Sequence, residues 1–248
     1  MREDRERTCA YYYVTGASRG LGRAIVERLL DENDTRVIGI ARGDGLDHPR
    51  YRHVRLDLKD LDAVAAFEFD ACEDAARIVL VNNAAQHKPK QLGHFHSKTL
   101  IDLFAINAVA PILLMNSFIA RYSDHPATQL VICNITSSSA LTPVRGSSAY
   151  CASKAALEMA TRTALLERDA GLGERLRFLI ADPGGMDSDM WTELGESSPK
   201  DLPDVEAFHR RRPVSPADVA ARLCPILLDP TRVLEPRILV QGLPTFNP

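Results

Sequence analysis

Polar and apolar positions alternate along this 248-residue chain in two textures. Short apolar or alternating runs occur at residues 10–14, 37–40, 51–56, 78–81, 130–135, 176–180 and 238–240. Runs of that length between turn residues predict strands. Segments with apolar residues three and four apart lie at 23–30, 61–71, 100–122, 149–168 and 216–228 and predict helices. In the first of these, Ile25, Val26, Leu29 and Leu30 line up on one face with Leu21 just before it. Strands alternating with helices predict an α/β fold: a single doubly wound domain over residues 1–248, with a mostly parallel seven-stranded sheet and helices on both faces. Residues 185–213 break the pattern. They are polar, Pro-containing and weakly periodic, and they follow a strand directly, which suits a lid over a site. Met186, Met190, Trp191 and Phe208 in that segment either line an apolar pocket or anchor the lid.

The candidate chemistry collects just after the strands, where open α/β sheets bind their ligands. Between the first strand and the first helix the chain reads Thr15, Gly16, Ala17, Ser18, Arg19, Gly20, Leu21, Gly22. Glycines there allow a tight turn and close approach of the backbone to a ligand. The helix that follows offers free N–H groups and a positive dipole end to a pyrophosphate. The spacing is G-x-x-x-G-x-G rather than the dinucleotide fingerprint G-x-G-x-x-G. Tyr150 and Lys154 lie one helical turn apart on a common face. An ammonium near a phenol favours the phenolate and lowers its pKa, giving a proton donor or acceptor usable near neutral pH. The pair alone is a weak signal; Ser137, thirteen residues upstream of Tyr150, and the glycine loop give it company. Asn107 lies mid-helix, where Asn is a poor helix former.

Composition narrows the partners. A formal net charge of −3 gives no reason to expect nucleic acid or an anionic membrane. No apolar run approaches the ~20 residues needed to span a bilayer. Met1 to Thr8 are charged and lead into the first strand without an apolar signal segment, so a cytoplasmic protein is expected. Cys9, Cys72, Cys133, Cys151 and Cys224 are odd in number and scattered, against a disulfide framework or zinc site. His87, His94 and His96 flank one loop, but no nearby Cys or carboxylate completes a metal site.

Taken in order, these motifs resemble the short-chain dehydrogenase/reductase family over about residues 10 to 240. Thr15 to Gly22 matches its T-G-x-x-x-G-x-G, implying cofactor contacts at Gly16, Ser18, Arg19, Gly20, Leu21 and Gly22. Asp57, with Leu58 beside it, matches the acidic residue that meets the adenine. Asn82, Asn83, Ala84 and Ala85 are similar to N-N-A-G, with Ala85 in place of the usual Gly. Asn107, Ser137, Tyr150 and Lys154 fall where the family's catalytic tetrad falls. Pro183 and Gly184 match the P-G that meets the nicotinamide, and Ser188 sits where a Thr commonly contacts the carboxamide. Stretches around Gly16, Tyr150 and Pro183 look closer to the sepiapterin reductase and benzil reductase branch, whose members reduce carbonyls next to a second carbonyl with NADPH.

The resemblance implies a Rossmann-type oxidoreductase, a small-molecule carbonyl or alcohol substrate, and a homodimer or homotetramer. Tyr150 would give a proton to the substrate oxygen. Lys154 would lower the Tyr150 pKa and hold the nicotinamide ribose. Ser137 would bond the substrate carbonyl, with Ser138 and Ser139 as rivals, and Asn107 would hold a water in a proton relay behind Lys154. NAD-preferring members usually carry an acidic residue after the second strand. Here Arg42 stands there, and a guanidinium suits a 2′-phosphate, with Arg19 as a second clamp. The cofactor expected is therefore NADP(H), reducing a ketone or α-dicarbonyl. The alternatives are an NAD-dependent alcohol dehydrogenase of the same fold and a non-catalytic NADPH-binding sensor.

Overall fold

The apolar runs become strands because both of their faces are covered. Tyr12 and Val14 bury themselves on one side of the sheet and Tyr13 on the other, all three without solvent contact. The computed structural model describes residues 9–127, 129–167, 172–173, 175–206 and 212–243. Its strands are β1 (Cys9–Thr15), β2 (Thr35–Ala41), β3 (Tyr51–Arg55), β4 (Ala75–Asn82), β5 (Gln129–Ile135), β6 (Leu176–Asp182) and β7 (Arg237–Leu239). They form one sheet in the order β3-β2-β1-β4-β5-β6-β7, with every neighbouring pair parallel. The chain begins mid-sheet, winds out to β3, returns to β4 beside β1 and winds out the other way. That reversal opens a crevice beyond the C-terminal ends of β1 and β4.

The helices described are α1 (Gly20–Leu30), α2 (Leu61–Ala65), α3 (Ser97–Phe104), α4 (Ala110–Tyr122), α5 (Ser148–Glu167), α6 (Asp189–Gly195) and α7 (Pro216–Leu228). Helices α1 and α7 cover the face carrying Tyr12, Val14, Val79 and Val131. Helices α2, α4 and α5 supply Val64, Leu114, Phe118 and Leu157 to the core that contains Tyr13, Ile78 and Leu130 on the other. The expected helix end at Arg168 lies outside the described residues.

Three elements depart from expectation. The helix expected at 61–71 stops at Ala65. Beyond it Phe69 turns into an aromatic cluster, edge-on to Tyr13 at 4.8 Å and to Phe118 at 5.4 Å, so tertiary burial overrides helical periodicity. The helix expected at 100–122 begins at Ser97 and contains a π-helical turn, Ala105–Val109. Pro111 accounts for the irregularity. Lacking an N–H, it leaves the carbonyl of Asn107 without its α-helical donor. This helix, Ser97–Tyr122, is also long and apolar enough to cross a membrane, with an 18-residue stretch of mean hydropathy 1.9. That corrects the expectation that no apolar run nears that length. Half of the stretch is buried inside the protein, with Leu114, Met115 and Phe118 packed in the core. The third departure is α6, a short helix inside the patternless 185–213 segment.

Candidate active site

The turn after β1 is shaped by contacts that only glycine permits. Gly16 has φ +68° and lies so close to Asn83 and Ala84 that a Cβ would come within 3.0 Å of Ala84 Cα. A Cβ on Gly22 would stand 2.2 Å from the carbonyl oxygen of Gly16. Thr15 ties this turn to the end of β4: its Oγ1 accepts from the backbone N–H groups of Asn83 (2.9 Å) and Ala84 (3.0 Å). The Asn83 side chain returns a bond from Nδ2 to the Thr15 carbonyl at 2.9 Å. Gly20, at φ +56°, has open space where a side chain would be. Helix α1 starts there with no side-chain cap from Arg19 and no acidic residue in its first turn, while Leu21 is buried beneath it. A glycine in the left-handed region beside open space at an uncapped helix start is a cradle for an anion.

Beside the cradle, Gly43 approaches Ser18 so closely that a Cβ there would lie 3.2 Å from the Ser18 hydroxyl. Arg42 is exposed and stands 3.9 Å from the carboxylate of Asp57. Asp57 in turn accepts from the backbone N–H of Lys59 at 3.0 Å, next to the buried Leu58. Arg19 does not join Arg42; it pairs with Asp189 at the start of α6. On the opposite side of the crevice, Gly184 (φ +73°) follows Pro183 and donates its N–H to Asp182 Oδ1 at 3.0 Å. Ser188 caps α6, accepting from the N–H of Trp191 at 3.3 Å.

Ser137 lies two residues beyond β5 and caps the 3₁₀ turn Ser138–Ala140, its Oγ accepting from Ser139 N at 3.2 Å. Tyr150 and Lys154 share the inner face of α5. The Lys154 ammonium is buried, donates to the Ile135 carbonyl at 2.8 Å, and lies 5.9 Å from the centre of the Tyr150 ring. Burial pushes the Tyr150 phenol up to about 12; the Ser137 hydroxyl pulls it down, and the carboxylate of Asp182 adds to the rise. Burial also draws Lys154 down to about 8, opposed by Asp182. The low phenol pKa expected beside Lys154 is not found in the free protein: desolvation sets its direction, and Lys154 is not among the groups that shift it.

Asn107 is wholly buried on the π-helical turn. Its Oδ1 accepts from Gln86 N at 2.8 Å, and its Nδ2 donates to Gln86 O at 2.8 Å and to Ser153 Oγ at 3.0 Å. Ser153 continues the chain of bonds to the Tyr150 carbonyl at 2.8 Å. Both amide protons are thus spent on clasping the β4–α3 loop to α5, so the side chain has no donor left for a relay water. The group that Pro111 releases is the main-chain carbonyl.

The sequence model of the family described as short chain dehydrogenase matches residues 11–199. This chain belongs to the short-chain dehydrogenase family. A Bacillus subtilis protein named benzil reductase ((S)-benzoin forming) is 34% identical over 209 residues, covering 80% of this chain and 84% of that protein. Mouse sepiapterin reductase is 28% identical over 216 residues, covering 78% and 80%. A short-chain dehydrogenase from Streptomyces avermitilis superposes with a TM-score of 0.77 at 27% identity, covering 98% of this chain and 90% of that one. The family binds a nicotinamide cofactor, and the glycine cradle, the uncapped α1 and the open space at Gly20 fit one.

Sequence reasoning missed two features of this short-chain dehydrogenase. His87 stacks on Tyr150, ring centres 4.1 Å apart and 17° from parallel. His94 and His96 are exposed, and no group of His, Cys, Asp and Glu suited to a metal occurs among the described residues. Asp182 and Glu158, both buried, share Arg237 at 3.4 and 3.2 Å, and Glu158 also holds Arg162 at 2.7 Å. Nothing in the local pattern signals the His87 stack or the Arg237 pairs, since each joins elements far apart in sequence; only Glu158 and Arg162 stand at local i, i+4 spacing. In the lid segment, Met186 packs against the α1–α7 core and the Trp191 ring lies against Gly185; Phe208 lies outside the described residues.

Proposed function

We propose that this short-chain dehydrogenase reduces a ketone or α-dicarbonyl to an alcohol with NADPH, Tyr150 supplying the proton. The observation that carries the reading is the convergence of Ser137, Tyr150 and the buried Lys154 at the ends of β5 and α5, with the phenol held protonated. A neutral phenol is the form that donates. A nicotinamide held in the glycine cradle would supply the hydride. Ser137 holds and polarises the carbonyl oxygen. As the oxygen gains charge, the Tyr150 O–H bond breaks and its proton passes to that oxygen. Lys154 stabilises the phenolate left behind and would hold the nicotinamide ribose. A water on the Asn107 main-chain carbonyl would restore the proton behind Lys154, which is the relay expected at Asn107.

The preference for NADPH rests on Arg42 at the end of β2, with Ser18 and Gly43 packed beside it and no carboxylate at that position. A guanidinium and a hydroxyl at one corner suit a 2′-phosphate. The pairing of Arg19 with Asp189 leaves it able to exchange a lid carboxylate for that phosphate. The α-dicarbonyl class is supported by the names of the relatives, one of which converts benzil, a 1,2-diketone, to benzoin.

The setting proposed is a cytoplasmic homodimer or homotetramer. The outer faces of the α3–α4 helix and of α5 expose Ile101, Val109 and Ile112, and Met159 and Leu166, respectively. Neighbouring exposed apolar side chains on two long helices suit a contact between copies. The deciding experiment is consumption of NADPH and of NADH by the purified protein against simple ketones, aromatic diketones and pterin-like dicarbonyls. Turnover with NADPH on a dicarbonyl is expected; equal use of NADH would remove the cofactor assignment, and NADPH binding without any turnover would favour the sensor alternative.

A further inference from the structure

His87 is 8% exposed and sits between two fixed neighbours. Its ring lies flat on the Tyr150 ring, and its Nε2 is 3.0 Å from the Ser147 hydroxyl. Ser147 is itself buried, and His87 is its hydroxyl's partner among the described residues. A buried hydroxyl proton needs an acceptor. Ser147 therefore donates to Nε2, and the imidazole carries its own proton on Nδ1. No hydrogen bond to Nδ1 occurs among the described residues. Burial and the neighbouring Lys88 ammonium draw the His87 pKa down to about 4, so the ring stays neutral and keeps that tautomer at working pH.

We infer that His87 is a specificity-determining residue whose Nδ1–H binds the second carbonyl oxygen of an α-dicarbonyl substrate. Tyr150 would give its hydroxyl to the oxygen being reduced, and the imidazole stacked on its ring, centres 4.1 Å apart, would give the second donor beside it. A simple ketone uses the first donor and leaves the second idle. The inference rests on the carbonyl-reductase reading and deepens it by naming what selects the substrate.

The test compares benzil with deoxybenzoin, which has the same carbon skeleton and a single carbonyl. His87→Gln retains an amide within reach of Ser147 but has no donor at the Nδ1 position. His87→Phe keeps the stack on Tyr150 and has no donor at all. Both variants are expected to lose about tenfold or more in kcat/KM for benzil, as sites built to hydrogen-bond a substrate do when the bond is lost. For deoxybenzoin the loss should stay within about threefold, and NADPH affinity should be unchanged within about twofold. His87→Gln decides the matter if His87→Phe does not fold. Equal losses on the two ketones, or none, overturn the role of His87 alone. A wild-type protein that reduces neither ketone with NADPH overturns the functional reading and the inference with it.

Discussion

The ammonium of Lys154 sits 5.9 Å from the centre of the Tyr150 ring and is anchored to the Ile135 carbonyl, with no solvent around it. Burial acts on the two groups in opposite directions: the phenol moves up to about 12 and the ammonium down to about 8. Below pH 8 both are protonated. As pH rises through about 8, Lys154 loses its charge first, while Tyr150 keeps its proton. NADPH affinity is expected to fall across that interval if Lys154 holds the ribose as an ammonium. Titrating NADPH fluorescence from pH 6 to 10 checks this, and Lys154→Met should abolish the step. A wild-type affinity that is flat through pH 8 to 9 would contradict it.

Tyr150→Phe removes one oxygen and leaves the ring stacked on His87. Loss of a positioned general acid costs about 10²–10⁴-fold in rate, so kcat should fall into that range while the NADPH dissociation constant stays within about twofold. Steady-state rates with a matched binding titration separate the two. Residual activity above about a tenth of wild type would falsify the proton-donor assignment.

The strands were legible because a strand buried on both faces writes itself as a continuous apolar run, as residues 10–14 do. The i, i+4 spacing of Tyr150 and Lys154 likewise announced that the two side chains share one face of α5. What pattern could not show was set by distant partners. Phe69 leaves the helical course for Tyr13 and Phe118. Helix α6 is held by the Ser188 cap, by Arg19 on Asp189 and by Lys88 on Glu193 at 2.8 Å, none of them periodic signals. The Tyr150 pKa was misjudged because a neighbouring cation is visible in sequence and desolvation is not. Pro111 was the readable clue to the π turn, four residues after Asn107, where its missing N–H falls on that residue's carbonyl.

Arg42→Ala should weaken NADPH selectively. A charge-assisted contact with a phosphate is worth more than a neutral hydrogen bond, and the Asp57 pair it would sacrifice is long and exposed. The KM for NADPH is expected to rise about tenfold or more, with the KM for NADH moving less than about threefold. Parallel changes in the two would remove the NADP assignment.

Met159 and Leu166 on α5 and Ile101 on α3 are each more than half exposed. If these faces join copies of the chain, Met159→Lys places a charge in an apolar contact and should shift the protein toward monomer. Sedimentation velocity at micromolar concentration reads the change. A wild-type monomer under the same conditions would refute the assembly outright.

Asn107 makes three hydrogen bonds with no solvent access, so its truncation exposes a different cost from that of a surface asparagine. Asn107→Ala strands Gln86 N, Gln86 O and one interaction of Ser153, and each buried polar group left unpaired costs about 1–3 kcal/mol. Relaxation and entering water will reduce the total, so a loss of roughly 2–4 kcal/mol in unfolding free energy is expected. Activity should fall further than stability explains, because the same clasp fixes the loop bearing His87 against the helix bearing Tyr150. Asn107→Asp is the discriminating variant. It preserves the acceptor for Gln86 N but places a carboxylate opposite the Gln86 carbonyl, so it should destabilise at pH 7 and recover as pH falls and the carboxyl regains a proton to donate. Urea unfolding of Asn107→Asp at pH 5 and pH 8 measures that recovery against wild type. An Asp variant equally stable at both pH values would mean that the Nδ2–Gln86 bond contributes nothing.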